Sequence, residues 1–351
     1  MHKISRILSA LMLVTLAASV SATGSAQSSD GSLTTVALGQ LSGGVRYEIP
    51  AWFKDSFLDI AEDAAEAQAQ NKHVLLYMHL NECPYCGHML TESFRESDFA
   101  KWIPTRFDSI AINIRGAREI AFNQNLIVTE RELAQALKVQ YTPTIVFLDG
   151  NNQQVLRTNG YRSANEFKDI LDFVDSKAYQ YSQLNDFLDA RKQNRKTTYV
   201  FRENPNFTAA TDMHTSPDKP LMVIFEDHHC ASCDQFQDDL KHLKIAPLLK
   251  QFTVVRLDAS ANTPIVTPAG ATTTAQAWVR DLKLDYRPGV VLFDAGEEIM
   301  RIDNMLRLWH LGLALNYVGA RHYLQYAAVH DYGRVLREKT LSAGINIDYW
   351  E

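Results

Sequence analysis

Apolar residues in this chain fall into two series of short, nearly unbroken runs, and the second series repeats the first. His73 to Leu80 (HVLLYMHL) and Leu221 to Asp227 (LMVIFED) are strand-length runs, as are Thr144 to Gly150 (TIVFLDG) and Val290 to Ala295 (VVLFDA). Short continuous runs rich in β-branched and aromatic residues predict strands buried on both faces. Ser109 to Ile114 and Thr253 to Leu257 predict one further strand in each series. Helical spacing follows the first run of each series, at Met89, Leu90 and Phe94, and at Phe236, Leu240 and Leu243. Capping boxes at Thr129-x-x-Glu132 and Thr273-x-x-Gln276 predict a second helix in each copy, because such side chains satisfy orphaned backbone N–H groups.

Cys83 and Cys230 lie 147 residues apart and Pro143 and Pro288 lie 145 apart, a period that marks a duplicated unit. Each unit reads strand, helix, strand, helix, strand, strand, helix, which predicts an α/β fold of two domains, each a mixed β-sheet flanked by helices. The polar stretch 194–219, with Pro205 and Pro217, is the expected linker. It separates a first domain over 48–193 from a second over 220–351 that ends in a helical tail.

Composition adds two cores' worth of material: 351 residues, 46% hydrophobic and 22% charged. The net charge of −6 gives no reason to expect nucleic acid as a partner. At the start, Lys3 and Arg6 precede an apolar run from Ile7 to Val20, with small residues up to Ala22 and again up to Ala26. That pattern predicts a cleavable signal peptide over 1–22 and export to the periplasm, since the run falls short of the ~20 residues that span a bilayer. Residues 23–47, rich in Ser, Gly and Thr, are expected to form a flexible leader.

The four cysteines, Cys83, Cys86, Cys230 and Cys233, form two Cys-x-x-Cys pairs with none left over. A disulfide closing so small a loop removes little unfolded-state entropy, so the pairs are poor staples and good candidates for reactive dithiols. Each lies where a strand gives way to a helix, which places Cys83 and Cys230 at helix N-termini, where N–H groups and the macrodipole favour a thiolate. Pro84 suits a first helical position. A shared zinc site is disfavoured by the 143 residues between Cys86 and Cys230. Haem attachment is excluded, because Gly87 and Asp234 stand where Cys-x-x-Cys-His needs histidine. No cofactor and no metal are expected.

Cys83-Pro84-Tyr85-Cys86 with Thr142-Pro143, and Cys230-Ala231-Ser232-Cys233 with Arg287-Pro288, resemble thioredoxin-fold active sites. The likeness is nearest to the SoxW-type thioredoxin-related proteins of sulfur-oxidising bacteria, tandem forms included, and Pro50 to Glu66 adds to it. The resemblance implies that Cys83 and Cys230 attack and that Cys86 and Cys233 resolve. It implies that Pro143 and Pro288 are cis, with Thr142 and Arg287 meeting a bound substrate strand. It also implies periplasmic protein thiols and disulfides as partners, with a membrane electron donor of the DsbD/CcdA kind. The chain departs from the pattern six residues before each first cysteine, where Tyr77 and Ile224 stand in place of a buried Asp, and between each pair and its proline, where a span longer than a minimal thioredoxin's implies insertions around Arg115 to Val128 and Ala259 to Thr272. Two functional classes stay open. One is an enzyme that reduces, oxidises, isomerises or repairs protein thiols; the other is a tandem binding or chaperone module without turnover. Intact pairs in both copies favour the enzyme.

Two charges are expected to tune the sites. Glu82 disfavours the Cys83 thiolate and a protonated His229 favours that of Cys230. This arrangement predicts the lower pKa at Cys230. The bulky cation of Arg287 is expected to narrow the second groove or to demand an acidic partner.

Overall fold

In the computed structural model the central strand of each half is wholly buried, as its unbroken apolar run requires. The described residues are 37–192, 199–214, 218–230 and 232–351. The expected signal segment, most of the leader, part of the linker and Ala231 lie outside them. Among the described residues no helix is long and apolar enough to cross a membrane.

The first half runs β1 (Leu41–Ser42), α1 (Ile60–Ala69), β2 (His73–His79), α2 (Pro84–Glu92), α3 (Ile103–Arg106), β3 (Phe107–Asn113), β4 (Glu119–Asn123), β5 (Leu126–Thr129), α4 (Glu130–Ala136), β6 (Thr144–Leu148), β7 (Gln154–Asn159), α5 (Ala164–Asp175) and α6 (Leu184–Lys192). The second runs β8 (Leu221–Glu226), α7 (Cys233–Lys241), α8 (Ala246–Leu249), β9 (Thr253–Asp258), β10 (Pro264–Val266), β11 (Thr272–Thr274), α9 (Ala275–Leu282), β12 (Gly289–Asp294), β13 (Glu297–Ile302), α10 (Leu308–Gly319), α11 (Val329–Ser342) and β14 (Ile347–Asp348).

Each half holds a four-stranded mixed sheet, ordered β3-β2-β6-β7 and β9-β8-β12-β13. The first pair of strands in chain order is parallel and the other pairings are antiparallel. Apolar layers lie on both faces. In the first half, Tyr77, Cys86 and Phe94 join one layer and Ile60, Leu76 and Leu133 the other. The expected insertions are the antiparallel hairpins β4–β5 and β10–β11.

Thr129 caps α4 with the full reciprocal box. In the second copy the cap falls one residue later than expected: Thr274 accepts from Ala277 N, and α9 begins at Ala275. Leu243 lies beyond the end of α7 and is 78% exposed, so the apolar face of that helix is shorter than its spacing suggested.

Residues 37–351 pack as one compact unit. The linker residues 199–214 lie against β9 and β10, where Thr208 N donates to Val254 O and Met213 N to Val266 O. The described end of the leader is fastened too, since β1 pairs in parallel with β14. The two halves meet through buried polar contacts. Arg162, 1% exposed, donates to Asp303 O at 2.8 Å, and its guanidinium lies 4.9 Å from the Tyr286 ring centroid. Tyr141 donates to Arg301 O at 3.0 Å. Gly160, at φ +70°, leaves room for the Asn304 side chain, which a Cβ would meet at 2.1 Å.

Candidate active site

The first dithiol sits where β2 ends and α2 begins. Cys83 is the N-cap of α2 and Pro84 occupies its first turn, where a missing N–H costs nothing. Cys83 and Cys86 form a disulfide with Cα atoms 5.3 Å apart. Cys86 N donates to Cys83 Sγ at 3.1 Å, and Thr142 Oγ1 donates to the same sulfur at 3.3 Å. The Thr142–Pro143 peptide bond is cis, and Thr142 O lies 3.5 Å from Cys83 Sγ. Cys83 is 7% exposed and Cys86 fully buried. Tyr77, at the position without a buried Asp, donates to Cys86 O at 2.9 Å and so anchors the second cysteine's backbone.

The second dithiol differs. Cys230 and Cys233 form a disulfide with Cα atoms 5.4 Å apart, and Arg287–Pro288 is cis. The helix, however, starts at Cys233 with Ser232 as its N-cap. Cys230 therefore does not cap a helix, contrary to expectation, and among the described residues no N–H points at its sulfur. Cys230 meets the start of α7 through its disulfide to Cys233, the first residue of that helix. Glu82 and His229 are exposed, where solvent and salt screen their charges. Cys83 thus has N-cap contacts that Cys230 lacks, while the two charges that distinguish the sites in sequence are both exposed.

Arg287 does not narrow a groove. Its side chain turns inward, donates to Leu284 O and Tyr286 O, and pairs with the largely buried Asp227 at 3.2 Å. The acidic partner it demands is its own chain's. Tyr85, in the Cys-Pro-Tyr-Cys motif, is likewise turned to the second half. Arg307 N donates to its oxygen at 2.8 Å, so its single hydrogen goes to His310 Nδ1 at 3.2 Å. Burial pushes His310 down to about 4 and keeps it a neutral acceptor.

Two buried titratable groups escaped the sequence reading. Each stands four residues before a first cysteine and is bonded to a tyrosine from the segment preceding its domain's first strand. Tyr47 donates to Leu80 O at 2.6 Å and so accepts from His79 Nδ1 at 2.9 Å. Burial drives His79 down to about 4. In the second half Tyr199 donates to Glu226 Oε2 at 3.1 Å, and Gln237 Nε2 to Oε1 at 2.7 Å. Tyr199 packs against Cys230 and Cys233. Burial raises the Glu226 carboxyl, against those two hydrogen bonds. The signal that could have found both was a polar residue inside an apolar strand run. Among the described residues no cluster of His, Cys, Asp or Glu could hold a metal ion.

The description "Thioredoxin-like domain" matches residues 60–175 and again 207–317. No curated protein matches the chain. Among solved structures, a thioredoxin-fold protein from Helicobacter pylori is 24% identical over 35% of this chain and 86% of its own, with a TM-score of 0.32. A thioredoxin from Thermus thermophilus is 28% identical over 33% of this chain and 83% of its own, at 0.27. An oxidoreductase named DsbH is 15% identical over 39% of this chain and 94% of its own, at 0.27. Each spans little more than a third of the chain.

Proposed function

The chain belongs to the thioredoxin-like domain family, twice over, and from that premise we propose that it is an exported thiol–disulfide oxidoreductase that reduces disulfides in periplasmic proteins. The observation that carries this reading is the first dithiol itself: Cys83 caps a helix, its sulfur accepts two hydrogen bonds, and Cys86 lies bonded beneath it. The same N–H and O–H donors that meet the disulfide sulfur would stabilise a Cys83 thiolate once the pair is reduced.

In that reduced state the Cys83 thiolate attacks one sulfur of a client disulfide. The Cys83–client bond forms and the client's other sulfur leaves as a thiolate. Cys86 gives up its proton and attacks Cys83 Sγ, the mixed disulfide breaks, and the second client sulfur leaves. The client gains two electrons, and the Cys83–Cys86 disulfide seen here is the oxidised product. Resetting it takes two electrons from a donor, for which a membrane conduit of the DsbD/CcdA kind is proposed from the SoxW-type likeness.

Cys86 is fully buried while Cys83 keeps an opening to solvent. A Cys86→Ser chain should therefore accumulate mixed disulfides with clients on non-reducing gels, and Cys83→Ser should not. Equal trapping by Cys83→Ser would overturn the assignment. Export rests on Lys3, Arg6 and the apolar run that follows. N-terminal sequencing of protein made in a bacterial host should find a start near Thr23 or Gln27, and a chain still beginning at Met1 removes the periplasm from the proposal.

A further inference from the structure

The loop that carries the first dithiol is enclosed from several sides by parts of the chain remote in sequence. Gly44 lies against Glu82, and a Cβ there would stand 3.5 Å from Glu82 O. Val45 and Tyr47 press on Gly87, which follows Cys86; a Cβ on Gly87 would stand 3.0 Å from Val45 Cγ1. From the opposite end of the chain, the Trp350 ring stacks on His88 with centroids 3.8 Å apart and planes at 11°. It also meets Tyr85 edge-on at 5.3 Å, and the Arg307 guanidinium covers it at 4.8 Å. The β1–β14 pairing joins the two segments through Leu41↔Ile347 and Ser42↔Asp348.

This ribbon is thin. It has two residue pairs and β1 is exposed along its length; Tyr47 and the buried Ile347 are firmly held, so the weakly held part is the end that carries Trp350, whose neighbour Glu351 makes an exposed pair with Lys244. Segments with few buried contacts open locally at far lower cost than the whole fold. Beneath the ribbon the tertiary contacts are stronger, since Tyr85 is held by both Arg307 and His310. The weak element and the dithiol thus lie side by side.

We propose that the end of this ribbon, residues 349–351 with Trp350 stacked on α2, is a strap that selects by size what reaches Cys83. A small, flexible disulfide passes with the strap closed. A disulfide on a folded protein reaches Cys83 only when Trp350 lifts from His88 and Tyr85. The inference rests on the exchange chemistry proposed above, and it names Trp350 as a specificity-determining residue that never touches the sulfur.

The test uses the full chain with Cys86, Cys230 and Cys233 all changed to Ser, so that Cys83 is the single thiol. Its alkylation rate is measured with N-ethylmaleimide and with a maleimide carried on a 5-kDa polyethylene glycol, each relative to the urea-unfolded chain. Trp350→Ala should raise the bulky rate about tenfold and the small rate by less than about twofold, since the lost aromatic contacts set the opening population. His88→Ala removes the other stacking partner and should do the same should Trp350→Ala fail to fold. Unchanged bulky rates in the folded variants would overturn the strap, and so would equal rises for both reagents, which signal general loosening. Alkylation needs no disulfide exchange, so the functional reading fails separately: a wild-type chain that reduces neither bis(2-hydroxyethyl) disulfide nor insulin overturns that reading, whatever the maleimide rates.

Discussion

Arg162→Ala should cost the folded chain about 3–5 kcal/mol, the order seen when one member of a buried ion pair is removed. Arg162 lies deep in the junction between the halves, and its Nη2 is 3.8 Å from Asp303 Oδ2 as well as bonded to Asp303 O. Deleting it strips a buried carboxyl of a cation, leaves a buried carbonyl short of a donor and uncovers the Tyr286 ring. A second ion pair, Arg280–Asp186 at 2.6 Å, also joins the halves, but its side chains are 47% and 40% exposed. Arg280→Ala is expected to cost less than about 1 kcal/mol, because exposed pairs are screened and pay side-chain entropy. Urea unfolding followed by tryptophan fluorescence measures both. If the two substitutions shift the midpoint equally, the junction does not depend on its buried polar centre.

Acid should weaken the fold through His79 and His310. Both have folded-state pKa values near 4, below the 6.5 of the free side chain, because burial penalises the charged ring. The unfolded chain therefore binds more protons between those values. The contribution is fully present above about pH 6.5, declines as pH falls, and is gone below about 4. At about 1.4 kcal/mol per unit, each histidine accounts for up to about 3 kcal/mol. Glu226 and Asp303 act the other way, since burial raises their carboxyls and favours the folded state as pH falls. The histidine share is isolated by comparing wild type with His79→Gln and His310→Gln. Each variant should start less stable at pH 7, having lost a hydrogen bond, and should lose less between pH 6.5 and 4. Stability curves parallel to the wild type's across that window would rule the histidines out. His310 is also the acceptor for Tyr85, so its protonation bears on the contact that holds the first dithiol loop to the second half.

The two dithiols share a spacing but not a setting. Cys83 takes the benefit of a helix terminus and a threonine hydroxyl, whereas Cys230 precedes its helix and packs against Tyr199. Glu82 and His229, the charged neighbours of Cys83 and Cys230 along the chain, are both exposed, while the four cysteines are nearly covered.

What the sequence determined by itself was whatever depends on short-range pattern. Apolar runs of strand length could only be satisfied as central strands with both faces covered, so the sheets and their duplication were legible. The Cys-x-x-Cys spacing fixed the disulfide partners, because residues three apart on a strand-to-helix turn come within bonding reach. The cap at Thr129 was legible for the same local reason, and the slip from Thr273 to Thr274 shows how little separates adjacent caps. What only the tertiary structure decided depends on contacts between residues far apart in the chain. Arg287 could have faced solvent or Asp227, and the buried setting, where an unpaired charge is costly, chose Asp227. Tyr85 found Arg307 and His310, and His88 found Trp350, across more than two hundred residues. No local propensity encodes such meetings, since they follow from how two finished halves and two chain segments cover one another's remaining polar and aromatic surface.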